Sequence, residues 1–256
     1  MYFKPVLAVA IVIIIICVLY FGVCGRGNYC SSYILQFIPL DYELPALPDS
    51  CEPAGGKFSL PEDSVCGTVP SILPRVGWRA RKGESETLPP LCPNGFALHH
   101  TAMEIEPSRS IGQTMRIMQD SHIDGRGWED IAYHFFIDAN GDIAEGRRLS
   151  RKGNINTVPD RDVDISGLIN ISLEGDFTRV DPTPEQMESL NHLVCWLSNT
   201  YRIPASRIYG HNDYYSGTEC PGRLEGMLPG IRESVEEMLE QPEQGHYTGT
   251  SADEAD

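Results

Sequence analysis

The longest apolar stretch of the chain lies near its N-terminus, where residues 6–23 include no charged side chain. At helical rise these 18 residues extend about 27 Å, close to the hydrocarbon thickness of a bilayer. The pattern predicts one N-terminal transmembrane helix within residues 1–24. Lys4 on one side and Arg26 on the other favour a cytoplasmic N-terminus, with the rest of the chain on the extracytoplasmic side.

Two other kinds of N-terminal segment compete with this anchor. A cleaved signal peptide usually has a shorter apolar region of about 7–15 residues that ends in small residues. Here the apolar run ends Tyr20-Phe21-Gly22-Val23-Cys24. Cys24 suggests a lipoprotein, but Phe21 and Val23 suit lipoprotein cleavage poorly. We therefore interpret residues 1–24 as an uncleaved membrane anchor, with a signal segment as the alternative.

Residues 25–84 are rich in Pro, Gly, Ser and Asp, a composition that predicts a linker. Four cysteines lie between the N-terminal apolar segment and the first candidate metal ligand: Cys30, Cys51, Cys66 and Cys92. Outside the cytoplasm such thiols oxidise, and four cysteines can pair in three ways. Loop length alone favours Cys51 with Cys66.

Residues 85–240 alternate between strand-like and helix-like patterns. Short apolar runs predict strands at 96–98, 132–137, 143–147, 168–173 and 208–210, with a turn at 138–142. Apolar side chains three or four residues apart predict helices through Ile111, Met115, Met118 and His122, after Thr183-Pro184, and through Ile231, Val235 and Met238. The order predicts an α/β domain with a central mixed β-sheet flanked by helices.

Composition narrows the partners. With 20 Lys and Arg against 36 Asp and Glu, the formal charge is −16. An acidic surface repels phosphate backbones, so we do not expect nucleic acid as a partner. Residues 241–256 contain acidic residues and no Lys or Arg, which predicts a disordered acidic tail.

The candidate chemistry rests on His99, His211 and Cys220. Each histidine follows a short apolar run, and Cys220 comes nine residues after His211, directly before Pro221-Gly222. Neutral imidazole and thiolate are ligands that zinc prefers, and three protein ligands leave a fourth position for water. The alternative is that His99 is a satisfied strand-end histidine and Cys220 a buried thiol.

Five motifs occur in order over about 150 residues: Leu98-His99-His100-Thr101-Ala102, the run 127–135 (GWEDIAYHF), the run 140–147 (NGDIAEGR), the run 170–177 (NISLEGDF), and Gly210-His211 through Cys220-Pro221-Gly222. The series resembles the type 2 N-acetylmuramoyl-L-alanine amidases, including the peptidoglycan recognition proteins and phage amidase lysozymes. The resemblance implies a zinc enzyme that cuts the amide between N-acetylmuramic acid and L-alanine of peptidoglycan.

Carried over motif by motif, the resemblance implies that His99, His211 and Cys220 bind Zn²⁺. It also implies that Tyr133 is catalytic, holding the attacking water or donating to the oxyanion. Thr218 is expected to orient the substrate or oxyanion. Some relatives carry a lysine at the position of Thr218, and the cytosolic recycling amidases carry a glutamate at Ser172. The recognition proteins that keep amidase activity resemble this chain at both positions.

No residue is an obvious general acid. Glu145, Glu174 and Glu219 are candidates, although exposure at a turn or surface is the more typical role of a carboxylate. We expect four other residues to serve packing or structure: His100, His122, His134 and Cys195. His192 is expected to be solvated.

Three functions follow from these patterns. The first is a membrane-tethered, extracytoplasmic zinc amidase acting on peptidoglycan, with residues 85–240 as the zinc amidase domain. The second is a module of the same fold that binds muropeptides without cutting them. The third, a domain that uses zinc only for stability, conflicts with the lack of a fourth candidate ligand.

Overall fold

The computed structural model describes residues 42–83 and 88–240, except Lys57, Ser59, 61–63 and 154–158. The chain divides into two compact units, Met1–Asp41 and Tyr42–Asp256, and the described residues belong to the second unit. The predicted transmembrane helix and the acidic tail both lie outside the described residues. Within the described part of the chain, no helix is long and apolar enough to cross a membrane.

Six strands form one mixed sheet in the order β1-β4-β3-β5-β2-β6. Their bounds are Ile72–Leu73 for β1, Gly95–His100 for β2, Phe135–Ile137 for β3, Ile143–Glu145 for β4, Leu168–Leu173 for β5 and Ile208–Gly210 for β6. Among the described strands, β3 and β4 form the one antiparallel pair. Every residue of β2 and β5 is buried, as expected for central strands covered on both faces. The predicted mixed sheet is confirmed.

The described residues also form four α-helices: α1 Ile111–Asp120, α2 Pro184–Tyr201, α3 His211–Tyr214 and α4 Leu228–Glu240. A π-helical turn, Ser121–Gly125, continues α1, and 3₁₀ turns span Ala205–Arg207 and Gly222–Met227. Thr183 and Gln186 form a capping box at the start of α2, the helix that the sequence predicts after Thr183-Pro184. The Gln186 N–H donates to Thr183 Oγ1 at 3.1 Å, and the Thr183 N–H donates to Gln186 Oε1 at 3.0 Å.

The alternation of side chains in the strands divides the core between the two faces of the sheet. Phe135 and Ile137 pack in the larger cluster with residues of α2 and α4. Phe136, which points the other way, packs with Trp78 and with Met115 of α1. On that second face β2 contributes Ala97, a small residue that leaves room for polar side chains beside it.

Residues 42–83 belong to the compact unit, in contrast to the linker that their composition predicts. Ile72 and Leu73 pair with β4, and Trp78 is buried with its Nε1–H donating to Glu145 O at 2.7 Å. The Pro- and Gly-rich composition of this segment matches its lack of long helices and strands. Buried side chains such as Trp78 nevertheless hold the segment against the sheet.

The predicted Cys51–Cys66 disulfide is wrong. Cys51 is bonded to Cys92, and Cys66 is bonded to Cys195 of α2. The shortest loop in the sequence does not decide the pairing, because the fold brings Cys66 against α2 and Cys51 beside the residues that lead into β2. Cys195, which the sequence predicts to serve packing, therefore cross-links α2 to the segment 42–83.

Candidate functional site

The three candidate ligands meet at one edge of the sheet. His99 lies near the end of β2, and His211 is the first residue of α3, directly after β6. Because β2 and β6 are parallel neighbours, their carboxyl ends lie side by side. A loop from α3 returns Cys220 to the same place, and one potential ligand atom from each residue lies within 4.8 Å of the other two.

The contacts within this cluster are close. His99 Nδ1 lies 3.6 Å from Cys220 Sγ, and the ring centroids of His99 and His211 are 4.8 Å apart. The backbone N–H of His100 donates to Cys220 Sγ at 3.4 Å. An amide that donates to a sulfur atom stabilises the thiolate form, which is the form that binds metal.

Burial controls the protonation of the cluster. Burial, together with the charge of His211, lowers the pKa of His99 to about 3. Burial, with the charge of His100, lowers the pKa of His211 to about 4. Both imidazoles are therefore neutral at pH 7 and offer lone pairs. Burial raises the pKa of Cys220 to about 12, so a nearby cation is the partner that would favour its thiolate.

Tyr133 lies beside the cluster, with its ring centroid 5.3 Å from that of His99. Arg147, which is fully buried, holds the loop that carries Tyr133. The Arg147 N–H donates to Tyr133 O at 2.7 Å, and its guanidinium donates to Ile131 O at 2.7 Å and Asp130 O at 3.0 Å. Burial raises the pKa of Tyr133 to about 12, so its hydroxyl remains a hydrogen-bond donor at neutral pH.

Thr218 lies two residues before Cys220 in the returning loop. Its Oγ1 accepts the backbone N–H of Cys220 at 3.1 Å. Accepting this hydrogen bond uses a lone pair of the oxygen, so the hydroxyl of Thr218 keeps its proton to donate to another group. Thr218 and Tyr133 thus place two hydroxyl donors at the same cleft.

The cluster lies in a cleft of about 550 Å³. Besides the five predicted site residues, its walls include His122, Arg126, Trp128, Asp176 and Glu219. The Arg126 guanidinium lies 5.0 Å from the Trp128 ring centroid, and the His122 ring lies 4.8 Å from the same ring. The sequence singles out His122 only as a packing residue. Its Nδ1 does accept the Ala132 N–H at 3.2 Å, but the ring also borders the cleft.

Two of the three general-acid candidates lie outside the cleft walls. Glu145 accepts the Arg75 N–H at 3.0 Å, and Glu174 accepts the Ala139 N–H at 3.2 Å. Glu219 is exposed and borders the cleft.

Two histidines expected to be structural make hydrogen bonds to the backbone. Nδ1 of His100 accepts the Phe177 N–H at 2.9 Å, although the ring also borders the cleft. His134 is buried between Asn170 N and Arg151 O, at 2.8 Å from each. His192, expected to be solvated, is half-buried on α2 and contacts Thr68 O at 3.1 Å.

Asn170 is a site residue for which the sequence motifs predict no role. It is a buried polar residue in β5, and its Oδ1 lies 3.1 Å from His99 Nε2. A usable signal is present in the sequence, because asparagine interrupts an otherwise apolar run at 168–171. A polar residue at such a position needs a buried partner.

A family model described as N-acetylmuramoyl-L-alanine amidase matches residues 89–223, which is just over half of the chain. Among curated relatives, peptidoglycan-recognition protein LE of Drosophila melanogaster is 32% identical over 175 residues, covering 65% of this chain and 46% of that protein. The N-acetylmuramoyl-L-alanine amidase of Sus scrofa is 29% identical over 159 residues, covering 60% of this chain and 26% of the relative. The chain thus spans less than half the length of either relative.

Among solved structures, the chain is similar to a peptidoglycan recognition protein-LE in complex with tracheal cytotoxin, a monomeric diaminopimelic acid-type peptidoglycan. The TM-score is 0.51 at 29% identity, and the match covers 67% of this chain and 94% of the solved one. These matches confirm the predicted family relationship and, within the predicted fold, the mixed sheet flanked by helices.

Proposed function

Because the chain belongs to the N-acetylmuramoyl-L-alanine amidase family, we propose that it is a zinc-dependent hydrolase of the amide between N-acetylmuramic acid and L-alanine. The observation that carries this proposal is the convergence of His99, His211 and Cys220 to within 4.8 Å, with Tyr133 beside them in an open cleft. Three ligands in a cleft suit a catalytic site, whereas a closed structural site uses four.

The donor set fits zinc. His99 and His211 are neutral imidazoles, and the Cys220 thiolate would add the one negative charge, supported by the His100 N–H. Nitrogen and sulfur ligands of this kind are those that zinc prefers. When bound, the metal would supply a water that ionises near neutral pH and would polarise the scissile carbonyl.

The protein's own contribution is to orient the amide and to stabilise charge on its oxygen. The Tyr133 hydroxyl stays protonated at neutral pH and donates to the oxyanion of the tetrahedral intermediate. The Thr218 hydroxyl, with its oxygen occupied by Cys220 N, is a second donor in the same cleft. Of the three glutamate candidates, Glu219 is the one that borders the cleft, and it would take the proton lost by the attacking water and pass it to the leaving amine.

A muropeptide is the substrate class that fits the cleft. Its volume of about 550 Å³ lies within the range of about 300–1,000 Å³ typical of ligand pockets. The Trp128 ring offers an apolar face to a sugar or peptide, and Arg126 offers a cation to a stem-peptide carboxylate. The solved recognition protein that binds tracheal cytotoxin supports the same class of ligand.

Recognition without cleavage is the alternative function. It is favoured by the relatives named as recognition proteins and by a cleft with several polar and aromatic walls besides the metal ligands. The two functions share ligand binding and differ in whether zinc and Tyr133 act on the amide.

The experiment that tests the proposal incubates the full chain, purified in mild detergent with zinc, with isolated peptidoglycan sacculi. Mass spectrometry of the soluble fraction is expected to find stem peptides with a free L-alanine amino terminus, and none after chelation. A zinc-loaded protein that binds sacculi but releases no such peptide would overturn hydrolysis and leave recognition as the function.

We place the domain on the extracytoplasmic side of a membrane, tethered through residues 6–23. The Cys51–Cys92 and Cys66–Cys195 disulfides support an oxidising compartment, since cytosolic thiols are kept reduced. The apolar segment is a sequence-based part of this proposal and lies outside the described residues. Intact-mass measurement of the protein from membrane fractions is expected to retain residues 1–24. A mature chain that starts after residue 20 would support a cleaved or lipidated form instead.

A further inference from the structure

We propose that Asn170 is a positioning residue that fixes the orientation and tautomer of His99, and through them the metal affinity of the cluster. The side chain lies in β5 on the same face of the sheet as His99 and is only 5% exposed. The inference concerns metal binding at the proposed zinc site. It is tested without reference to amide hydrolysis.

The orientation of the Asn170 amide follows from its partners. Its nitrogen lies 3.1 Å from the carbonyl oxygen of Leu168, which accepts hydrogen bonds and cannot donate them. The NH₂ group must therefore face Leu168. The carbonyl oxygen is left facing His99 Nε2 at 3.1 Å. Among the described residues, this oxygen has no other partner.

The orientation of the amide fixes the tautomer of His99. An amide oxygen accepts a hydrogen bond, so His99 Nε2 must carry the proton and donate it. The other nitrogen, Nδ1, then holds the lone pair. Nδ1 is the atom 3.6 Å from Cys220 Sγ, so the free lone pair points to the ligand cluster. A hydrogen bond to the other ring nitrogen of a metal-ligating histidine typically fixes its tautomer and orientation in this way.

The surroundings hold Asn170 in place independently of its side chain. The Asn170 N–H donates to His134 Nδ1 at 2.8 Å, and the His134 N–H donates to Asn170 O at 2.8 Å. A side chain at Gly153 would overlap the Asn170 amide nitrogen, so glycine there leaves the room that the amide occupies. Replacing the side chain therefore removes the contact with His99 while β5 stays anchored.

The first test needs no substitution. The full chain is labelled with ¹⁵N-histidine, stripped of metal, and its ring nitrogen shifts are measured by NMR. For His99 we expect a protonated Nε2 and an unprotonated Nδ1. A His99 ring protonated on Nδ1, or an equal mixture of both tautomers, would overturn the proposal.

The second test compares three variants by zinc affinity, measured by competition with a chromophoric chelator. Asn170→Leu keeps the number and branching of the side-chain heavy atoms but loses the acceptor, and is expected to bind zinc about 10–100-fold more weakly than the parent. Asn170→Asp restores an acceptor for His99 and is expected to stay within a few-fold of the parent. Ser198→Ala removes a buried hydroxyl from α2, on the opposite face of the sheet, and is expected to leave zinc affinity unchanged.

The outcomes separate this inference from the proposed function. Parent-like zinc affinity in a folded Asn170→Leu protein would reject the role of Asn170 even if the parent hydrolyses peptidoglycan. A parent that binds zinc but cuts nothing would reject the proposed function, while a loss of affinity in Asn170→Leu would still support Asn170. If Asn170→Leu fails to fold, the tautomer measurement on the parent decides.

Discussion

The backbone N–H of Asn212 donates to the carbonyl oxygen of Cys220 at 3.0 Å, which ties the residue after one candidate ligand to the next candidate ligand. The Tyr215 N–H donates to His211 O at 3.2 Å, and Thr218 Oγ1 accepts the Cys220 N–H at 3.1 Å. Two of these three bonds use backbone groups of Cys220, and the thiol takes part in none of them. A change confined to the sulfur atom should therefore leave His211 and the loop in place.

Cys220→Ser is accordingly expected to lose zinc affinity and amide hydrolysis while keeping most of its affinity for a muropeptide. A serine hydroxyl is a poor zinc ligand at neutral pH, whereas a ligand groove draws on many other contacts. Zinc content, release of L-alanine-terminated peptides and muropeptide affinity measure the three effects. Ser216→Ala, in the same loop, is the matched control. Hydrolysis at the parent rate by Cys220→Ser would remove this residue from the site.

Tyr133→Phe is expected to keep the fold and bound zinc and to lose about 10²–10³ in rate, the usual cost of one oxyanion donor. The ring remains to pack against His99, so only the hydroxyl is tested. Single-turnover kinetics and zinc content are measured together. Tyr209→Phe, in β6 and outside the cleft walls, serves as control. Parent-like turnover in zinc-loaded Tyr133→Phe would make Tyr133 a packing residue.

The two disulfides should differ in their effect on stability. Cys66–Cys195 closes a separation of 129 residues and Cys51–Cys92 one of 41. In the loop-entropy model, the longer loop gives about 1 kcal/mol more stability at 25 °C. Paired Cys→Ala variants at each bridge are compared by chemical denaturation. A larger loss from the Cys51–Cys92 pair would show that loop closure does not govern their contributions.

His134 should make stability depend on pH. Burial lowers its pKa to about 4, below the usual value near 6.5, so the unfolded chain binds its proton more readily than the folded chain. Above about pH 6.5 His134 is neutral in both states and does not lower the free energy of unfolding. As pH falls toward about 4, protonation of the unfolded chain lowers that free energy by on the order of 3 kcal/mol.

His134→Gln tests this dependence, because the variant keeps a polar side chain but does not titrate. The parent is expected to be the more stable at pH 7.5, and the difference in unfolding free energy should shrink by pH 4.5. Both proteins are measured with a chelator, so that the other histidines contribute equally and cancel. A difference that stays constant across this range would contradict the assigned pKa.

Local patterns predict most of the sheet and the main helices. The capping signal at Thr183 and the apolar runs of β2, β5 and β6 act over a few residues, so the sequence displays them directly. The strand predicted from 132 begins only at Phe135. The chain before this strand follows an irregular path, in which the buried Arg147 guanidinium donates hydrogen bonds to the carbonyl oxygens of Asp130 and Ile131.

Local patterns do not predict contacts between residues that are far apart in the sequence. The pairing of Cys66 with Cys195 depends on how a segment without regular structure lies against α2. The contact of Asn170 with His99 depends on the pairing of β5 with β2, which periodicity does not determine. The three candidate ligands were accessible from sequence because residue chemistry and motif order mark them. Their mutual distances required the fold.

The short strand β1 has a practical consequence for handling this protein. A chain shortened to begin at residue 85 would lack β1, and the outer edge of β4 would present unpaired N–H and C=O groups to solvent. Such an edge is a template for strand addition between molecules. The same truncation would remove Cys51 and Cys66, leaving Cys92 and Cys195 as free thiols able to cross-link neighbouring molecules. Recombinant fragments cut at that boundary should therefore aggregate, and fragments that begin at Tyr42 should remain monodisperse.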